Sequence, residues 1–488
     1  MTAEISTQRA RRGFRSTACR IGAALGLAFA SSVASAAATI VITNINAAGV
    51  GFNDNTPAAP VGGNPGTTLG QQRLNAFTYA ANIWGRTLTS NVTINIQAQF
   101  SPLTCSATSA TLGSAGATQV FSDFPNAPVA GHWYSYALAN KLAGAELGSG
   151  TPQINANFNS NLGLNANCLP GSPFYLGLDS QAGTAIDLVE VLLHELGHGL
   201  GFQTFTSGTT GAYLAGTPSI WDRYLLDNTT NKTWDSMTNA ERAASAINTQ
   251  HLVWTGANVT AAAPSVLQRG APLLSLTAPA SAITSFLVGT ASFGPALAAP
   301  GVSAEIVQVV DQPDGKTGLA CDAGLTPAAA ASVAGKIALV DRGVCGFTIK
   351  VANAQQAGAV GVIIADNAAG SPPPGLGGAD PTITIPAVRI TLADGITLKN
   401  ALSKRTRTKS AGVIGTLGVN SALLAGADPA GRVFLYTPNP FISGSSVSHY
   451  DVSAFPNLLM EPNINSDLTQ VVMPPRDLTL PLFRDIGW

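Results

Sequence analysis

Charge is scarce in this chain. Asp, Glu, Lys and Arg together make up 10% of 488 residues, and the formal net charge is −1. That balance excludes the basic stripe that neutralises a phosphate backbone, and equally a cationic face for an anionic membrane. Histidine is rarer still, with five residues, and there are four Met. No apolar run reaches the roughly 18 residues needed to cross a bilayer, so no membrane insertion is expected. No pair of cysteines has Cys-x-x-Cys spacing, which argues against a zinc knuckle or a dithiol redox motif. Small residues are plentiful instead: 51 Gly, 30 Pro, and many Ala, Ser, Thr and Asn. Such a composition suits a loop-rich exported protein, and the length suggests two or three domains.

The N-terminus agrees with export. Arg9, Arg11, Arg12, Arg15 and Arg20 precede a short apolar stretch from Ile21 to Ala30, and Ala34-Ser35-Ala36 follows as a small-x-small cleavage site. Residues 1–36 therefore read as a signal peptide, which predicts a secreted protein, extracellular or periplasmic. Arg11-Arg12-Gly13-Phe14 loosely resembles a twin-arginine signal, but ordinary charge ahead of the apolar stretch explains it better. Too few residues separate Ala36 from a strand expected at Ile40 for a long pro-segment. Cys19 leaves with the signal. Cys105, Cys168, Cys321 and Cys345 remain, an even set for which three pairings exist. Sequence proximity favours Cys105–Cys168 and Cys321–Cys345.

The richest stretch is His194-Glu195-Leu196-Gly197-His198. Ile186, Val189, Leu193, Leu196 and Leu200 recur at helical spacing, which predicts a helix over 184–201. Residues four apart lie above one another on a helix, so His194 and His198 can offer two imidazoles to one metal ion. Glu195 then lies within reach of a water on that metal, as a general base must. The bland reading is a buried helix with two satisfied histidines. By composition, the motif arises by chance in about one such chain per thousand. Gly201, just past the last periodic residue, is a helix stop.

The rest of the chain divides around this helix. Strands are expected at Ile40–Ile45, Val92–Phe100 and Ile154–Phe158, and a helix at Gln72–Leu88, with residues 101–183 otherwise loop-rich. A Thr/Ala/Pro-rich passage around 255–300 reads as a connector. Residues 302–404 look like a module of their own: apolar strands at Ile337–Val340, Val360–Ala365 and Val388–Ile390 alternate with helices at Ile349–Ala357 and Ala393–Leu402. Asn53-Asp54-Asn55 is too weak a signal for calcium and reads as a polar turn.

Within that module, Gly335-Lys336-Ile337-Ala338-Leu339-Val340-Asp341-Arg342-Gly343-Val344-Cys345-Gly346-Phe347 is followed by Lys350, Asn353-Ala354-Gln355, Ala357-Gly358-Ala359 and Ile385-Pro386-Ala387-Val388. This run resembles the protease-associated domain, an insertion found in secreted subtilisin-like and zinc peptidases. The resemblance covers about 100 residues and implies a substrate-handling or positioning role without chemistry. The paired cysteines of that domain match Cys321 and Cys345.

A catalytic zinc ordinarily has three protein ligands, so the helix leaves one to find. A Gly-x-x-His continuation would put it at position 204, which is Thr204. Only His132, His251 and His449 remain. His449, in Ser446-Val447-Ser448-His449-Tyr450-Asp451, is followed by Asn457-Leu458-Leu459-Met460. This combination resembles leishmanolysin-type metzincins, whose His-Glu-x-x-His-x-x-Gly-Phe helix is separated by an inserted domain from a distant His ligand and a Met-bearing turn. The resemblance implies zinc ligands His194, His198 and His449, general base Glu195 and a Met turn at Met460. Asp222 and Glu241 stay open as alternative third ligands; His132 and His251 read as ordinary histidines.

The expected fold is α+β: a metzincin-like zinc peptidase domain interrupted by an α/β protease-associated domain. Its parts are residues 37–300 with the zinc helix, the insertion 301–405, and 406–488 with the third ligand and Met turn. The expected function is a secreted zinc-dependent endopeptidase acting on proteins or peptides. The alternative is a non-catalytic binding protein on the same scaffold.

Overall fold

The computed structural model describes residues 37–488 apart from 149, 312–317, 323, 405–411 and 466; the signal peptide expected over 1–36 lies outside them. Alternation builds the first sheet. In β2 (Ile94–Ser101), Ile94, Ile96, Ala98 and Phe100 are buried while Asn95, Gln97 and Gln99 face outward. The strand pairs in parallel with β1 (Ile40–Asn44) on one side and with β4 (Ile154–Asn159) on the other. Antiparallel to β4, at the edge, runs β3 (Gly113–Ala117). The buried face of the sheet carries α1 (Leu69–Thr87) and α2 (Leu188–Leu200), and the Trp84 indole of α1 donates to the Leu193 carbonyl of α2 at 3.2 Å.

Helix α2 starts later than its apolar stripe suggests. The Asp187 carboxylate accepts from the Val189 and Glu190 amides, so the helix begins at Leu188 and Ile186 falls in a short strand instead. It ends at Gly201, whose φ of +126° favours glycine.

The passage 255–300 is not a bare connector. It holds a helix at Ala257–Val266 and three strands, β5 (Arg269–Ala278), β6 (Thr284–Leu287) and β7 (Gly289–Thr290). These join β8 (Val302–Gln308), β9 (Ile337–Asp341), β10 (Gly361–Ala365), β11 (Ala387–Ile390) and β12 (Ile414–Leu424) in one sheet, of order β6-β5-β12-β8-β9-β10-β11-β7. Strands β8 to β11 are parallel, and β9 and β10 are apolar and buried on both faces, because helices cover both. Val351 and Ala354 of α3 (Phe347–Gln356) pack on one face with Val340 and Val362. Leu398 of α4 (Leu392–Ser403) packs on the other with Leu339 and Ile363.

A third core joins the two ends of the chain. It takes residues from Ala38 to Leu267 and from Leu424 to Ile486, and includes the terminal helix α5 (Thr479–Ile486), whose Phe483 ring sits 5.2 Å from Trp84. The strand β12 returns the chain from the inserted module to this core. Cys105–Cys168 and Cys321–Cys345 are the bonded pairs. Among the described residues no helix is long and apolar enough to cross a membrane.

Candidate metal centre

Helix α2 is buried on all sides except at Glu195, which is half-buried. Its glycines allow this. A Cβ on Gly199 would lie 2.5 Å from Ile154, and one on Gly197 would lie 2.8 Å from the sulfur of Met460. Met460 is fully buried and lies in a turn closed by the Glu461 amide on the Leu458 carbonyl.

His194 and His198 project from α2 on one side, one turn apart, and His449 comes to them from the C-terminal segment. Their three Nε2 atoms form a triangle with edges of 3.1, 3.2 and 3.2 Å. Each Nδ1 is held by a backbone carbonyl: His194 by Leu459 at 2.7 Å, His198 by Phe202 at 2.7 Å, His449 by Ser445 at 2.8 Å. A carbonyl can only accept, so the Nδ1 atoms carry the protons and the Nε2 atoms face one another as bare lone pairs. Burial reinforces this state. It depresses the His194 pKa to about 4, that of His198 to about 3, and that of His449 well below the ordinary value.

Three converging acceptors with no hydrogen between them repel, unless a cation lies among them. Nitrogens bound tetrahedrally to zinc at about 2.0–2.1 Å would be about 3.3–3.4 Å apart. The triangle is a few tenths of an ångström tighter, so the donor set fits zinc. Among the described residues, these three histidines are the group whose side chains could together hold a metal ion.

Glu195 is held from the other side. The amide of Ala115, on edge strand β3, donates to its Oε2 at 3.0 Å. Burial outweighs that bond and pushes the carboxyl pKa up to about 8 with no metal present. The residues Gly113-Ser114-Ala115-Gly116-Ala117 lack β-branched and aromatic side chains, so this strand has no sequence signal, and the loop-rich reading of 101–183 missed it. The three carbonyls that orient the histidines are backbone atoms and had no signal at all.

The other sequence candidates are engaged elsewhere. Asp222 is buried and accepts from Thr204, Thr206 and Ser219, tying down the loop after α2. Glu241 closes a capping box with Thr238 and pairs with Lys232. His132 faces the Ala130 carbonyl and Asp235, and His251 faces Asn228. Asp54 of the Asn53–Asn55 turn pairs with Arg73 at 3.1 Å.

Comparison with known proteins adds one firm assignment: residues 302–398 match the PA domain family. A stretch of 79 residues is 47% identical to the C5a peptidase of Streptococcus pyogenes serotype M3, over 16% of this chain. The chain spans only 6% of the length of that protein. Similar solved structures include the zinc aminopeptidase BSAP from Bacillus subtilis, 24% identical over 33% of this chain and 36% of that one, with a TM-score of 0.22. An aminopeptidase from Aneurinibacillus sp. strain AM-1 is 23% identical over 41% of this chain and 42% of that one, again with a TM-score of 0.22. A likeness at that level carries no weight for the site.

Proposed function

We propose that this protein is a secreted zinc-dependent endopeptidase of the leishmanolysin-like metzincin type, with His194, His198 and His449 as ligands, Glu195 as general base and Met460 in the Met turn. The observation that carries the reading is the triangle of Nε2 atoms at 3.1–3.2 Å, each ring oriented through its Nδ1. Zinc, when bound, supplies Lewis-acid polarisation of a scissile carbonyl and an acidified water. Glu195 then takes the water proton on a carboxylate oxygen and delivers it to the departing amide nitrogen as the C–N bond breaks. Edge strand β3 has no partner strand on its outer side among the described residues, so an extended peptide can align along it beside Glu195.

The test uses purified protein, metal analysis, and an unfolded substrate with its N-terminus acetylated. Internal cuts that stop with a chelator and return with zinc are expected. Cleavage only of unblocked N-termini would make it an aminopeptidase. Zinc binding without turnover would leave the non-catalytic scaffold, and failure to bind zinc would remove the whole reading.

The pH dependence of zinc binding is a second expectation. An imidazole of ordinary pKa is about 97% protonated at pH 5, and three of them would together weaken binding by ~10⁴-fold or more relative to pH 7. With the His194 pKa held at about 4 and that of His198 at about 3, those two rings are already neutral at pH 5, and burial pushes His449 the same way, well below its ordinary value. Zinc affinity, corrected for the competitor, should therefore fall less than about tenfold between pH 7 and 5. A fall of several orders of magnitude would refute the neutral, carbonyl-oriented triad. The same depression works against the metal-free fold. As pH drops from about 6.5 towards 4, the unfolded chain takes up protons that the buried rings refuse, and stability declines.

A further inference from the structure

We infer that the inserted PA module is a positioning element for the metal centre: its loop 367–376 holds the segment that orients His449. This rests on the zinc reading above. His449 lies at the end of a loop whose base is well tied. The Tyr436 amide donates to the His449 carbonyl at 2.9 Å, Val447 donates back to Tyr436 at 2.8 Å, and Leu435 pairs with Tyr450. The base places the residue, but the ring's rotation is set at the tip. There Ser446 donates its amide to the Ile442 carbonyl at 2.9 Å and accepts from the Ile442 amide at 2.9 Å, and this turn aims the Ser445 carbonyl at His449 Nδ1.

The tip is gripped from two sides. On one, Phe441 lies over Gly208 in the loop after α2, so closely that a Cβ there would come 2.2 Å from the ring. On the other, Asn439 exchanges both backbone hydrogen bonds with Ser371, at 2.7 Å each. Ser371 belongs to the PA match, and the module fixes its loop at both ends. Asp366 is clamped by Arg342 and Arg389, and Leu376, buried in the module's core, pairs with Thr290 and Ser292. A continuous chain of contacts thus runs from the PA core through Ser371 and Asn439 to the Ser445 carbonyl and His449.

Loosening an outer hydrogen-bond partner of a metal ligand typically costs about 10–100-fold in affinity. The double variant Ser371→Pro with Asn439→Pro removes both amides of the pair. It should weaken zinc binding by about that factor, measured by chelator competition on the full chain, and broaden the d–d spectrum of the cobalt-substituted protein. Ser371→Ala keeps the backbone amide and should bind zinc like wild type. A folded double variant with wild-type zinc affinity, alongside a His449→Ala protein that has lost it, overturns the proposal. If His449→Ala itself binds normally, the zinc reading falls first. Should the double variant not fold, hydrogen exchange on the wild type decides, because coupling is reciprocal. Zinc should slow exchange in 367–376 together with 439–449; protection confined to 439–449 overturns the proposal.

Discussion

Glu195→Gln should retain one zinc per chain and lose hydrolysis by about 10²–10⁴-fold, the range that positioned proton-transfer groups contribute. The substitution is close to isosteric, and an amide oxygen can still accept from the Ala115 amide that holds Oε2 at 3.0 Å. What it removes is the ability to take up and return a proton. Burial raises the proton affinity of this carboxyl, to about 8 without metal, and a nearby zinc ion would favour the carboxylate form that the base step needs. Zinc content and kcat measured on the same folded preparation separate the two roles. Near-normal turnover would sink the mechanism, while loss of zinc would make Glu195 a ligand or a structural residue.

His449→Ala should reduce zinc affinity beyond the about 10–100-fold expected for a lost hydrogen-bond partner, because a donor atom itself goes. Two neutral nitrogens on α2 would remain, with water in place of the third. His132→Ala and His251→Ala should bind zinc as wild type, since those rings face Asp235 and Asn228. Asp222→Asn should also keep zinc while loosening the loop after α2, because Asp222 serves Thr204, Thr206 and Ser219. The assignment of the third ligand fails if Asp222→Asn loses the metal and His449→Ala does not.

The parts of the site that were legible in the sequence are those where local geometry sets the outcome. His194 and His198 share a face because four residues make about one helical turn, and that holds in any fold that keeps the helix. The apolar strands at 337–340 and 360–365 were legible for a similar reason: only a sheet covered on both faces makes such short runs stable. Strands of the passage 269–290 were hidden, because Pro272, Pro279 and runs of Thr and Ser resemble a linker. There, pairing with β12, more than 120 residues later, overrides local preference.

By itself, then, the sequence pointed to two candidate metal ligands, a candidate base and an export signal, and made the PA domain recognisable. Each follows from spacing or composition within a short stretch. Tertiary structure alone decided the rest. It brought His449 across 251 residues to within 3.2 Å of His198, set the edge strand's amide on Glu195, and tied the inserted module to the third histidine through Ser371 and Asn439. The orienting groups there are backbone carbonyls and amides, which every residue carries. Their positions depend on how the chain closes on itself and on no side chain's identity.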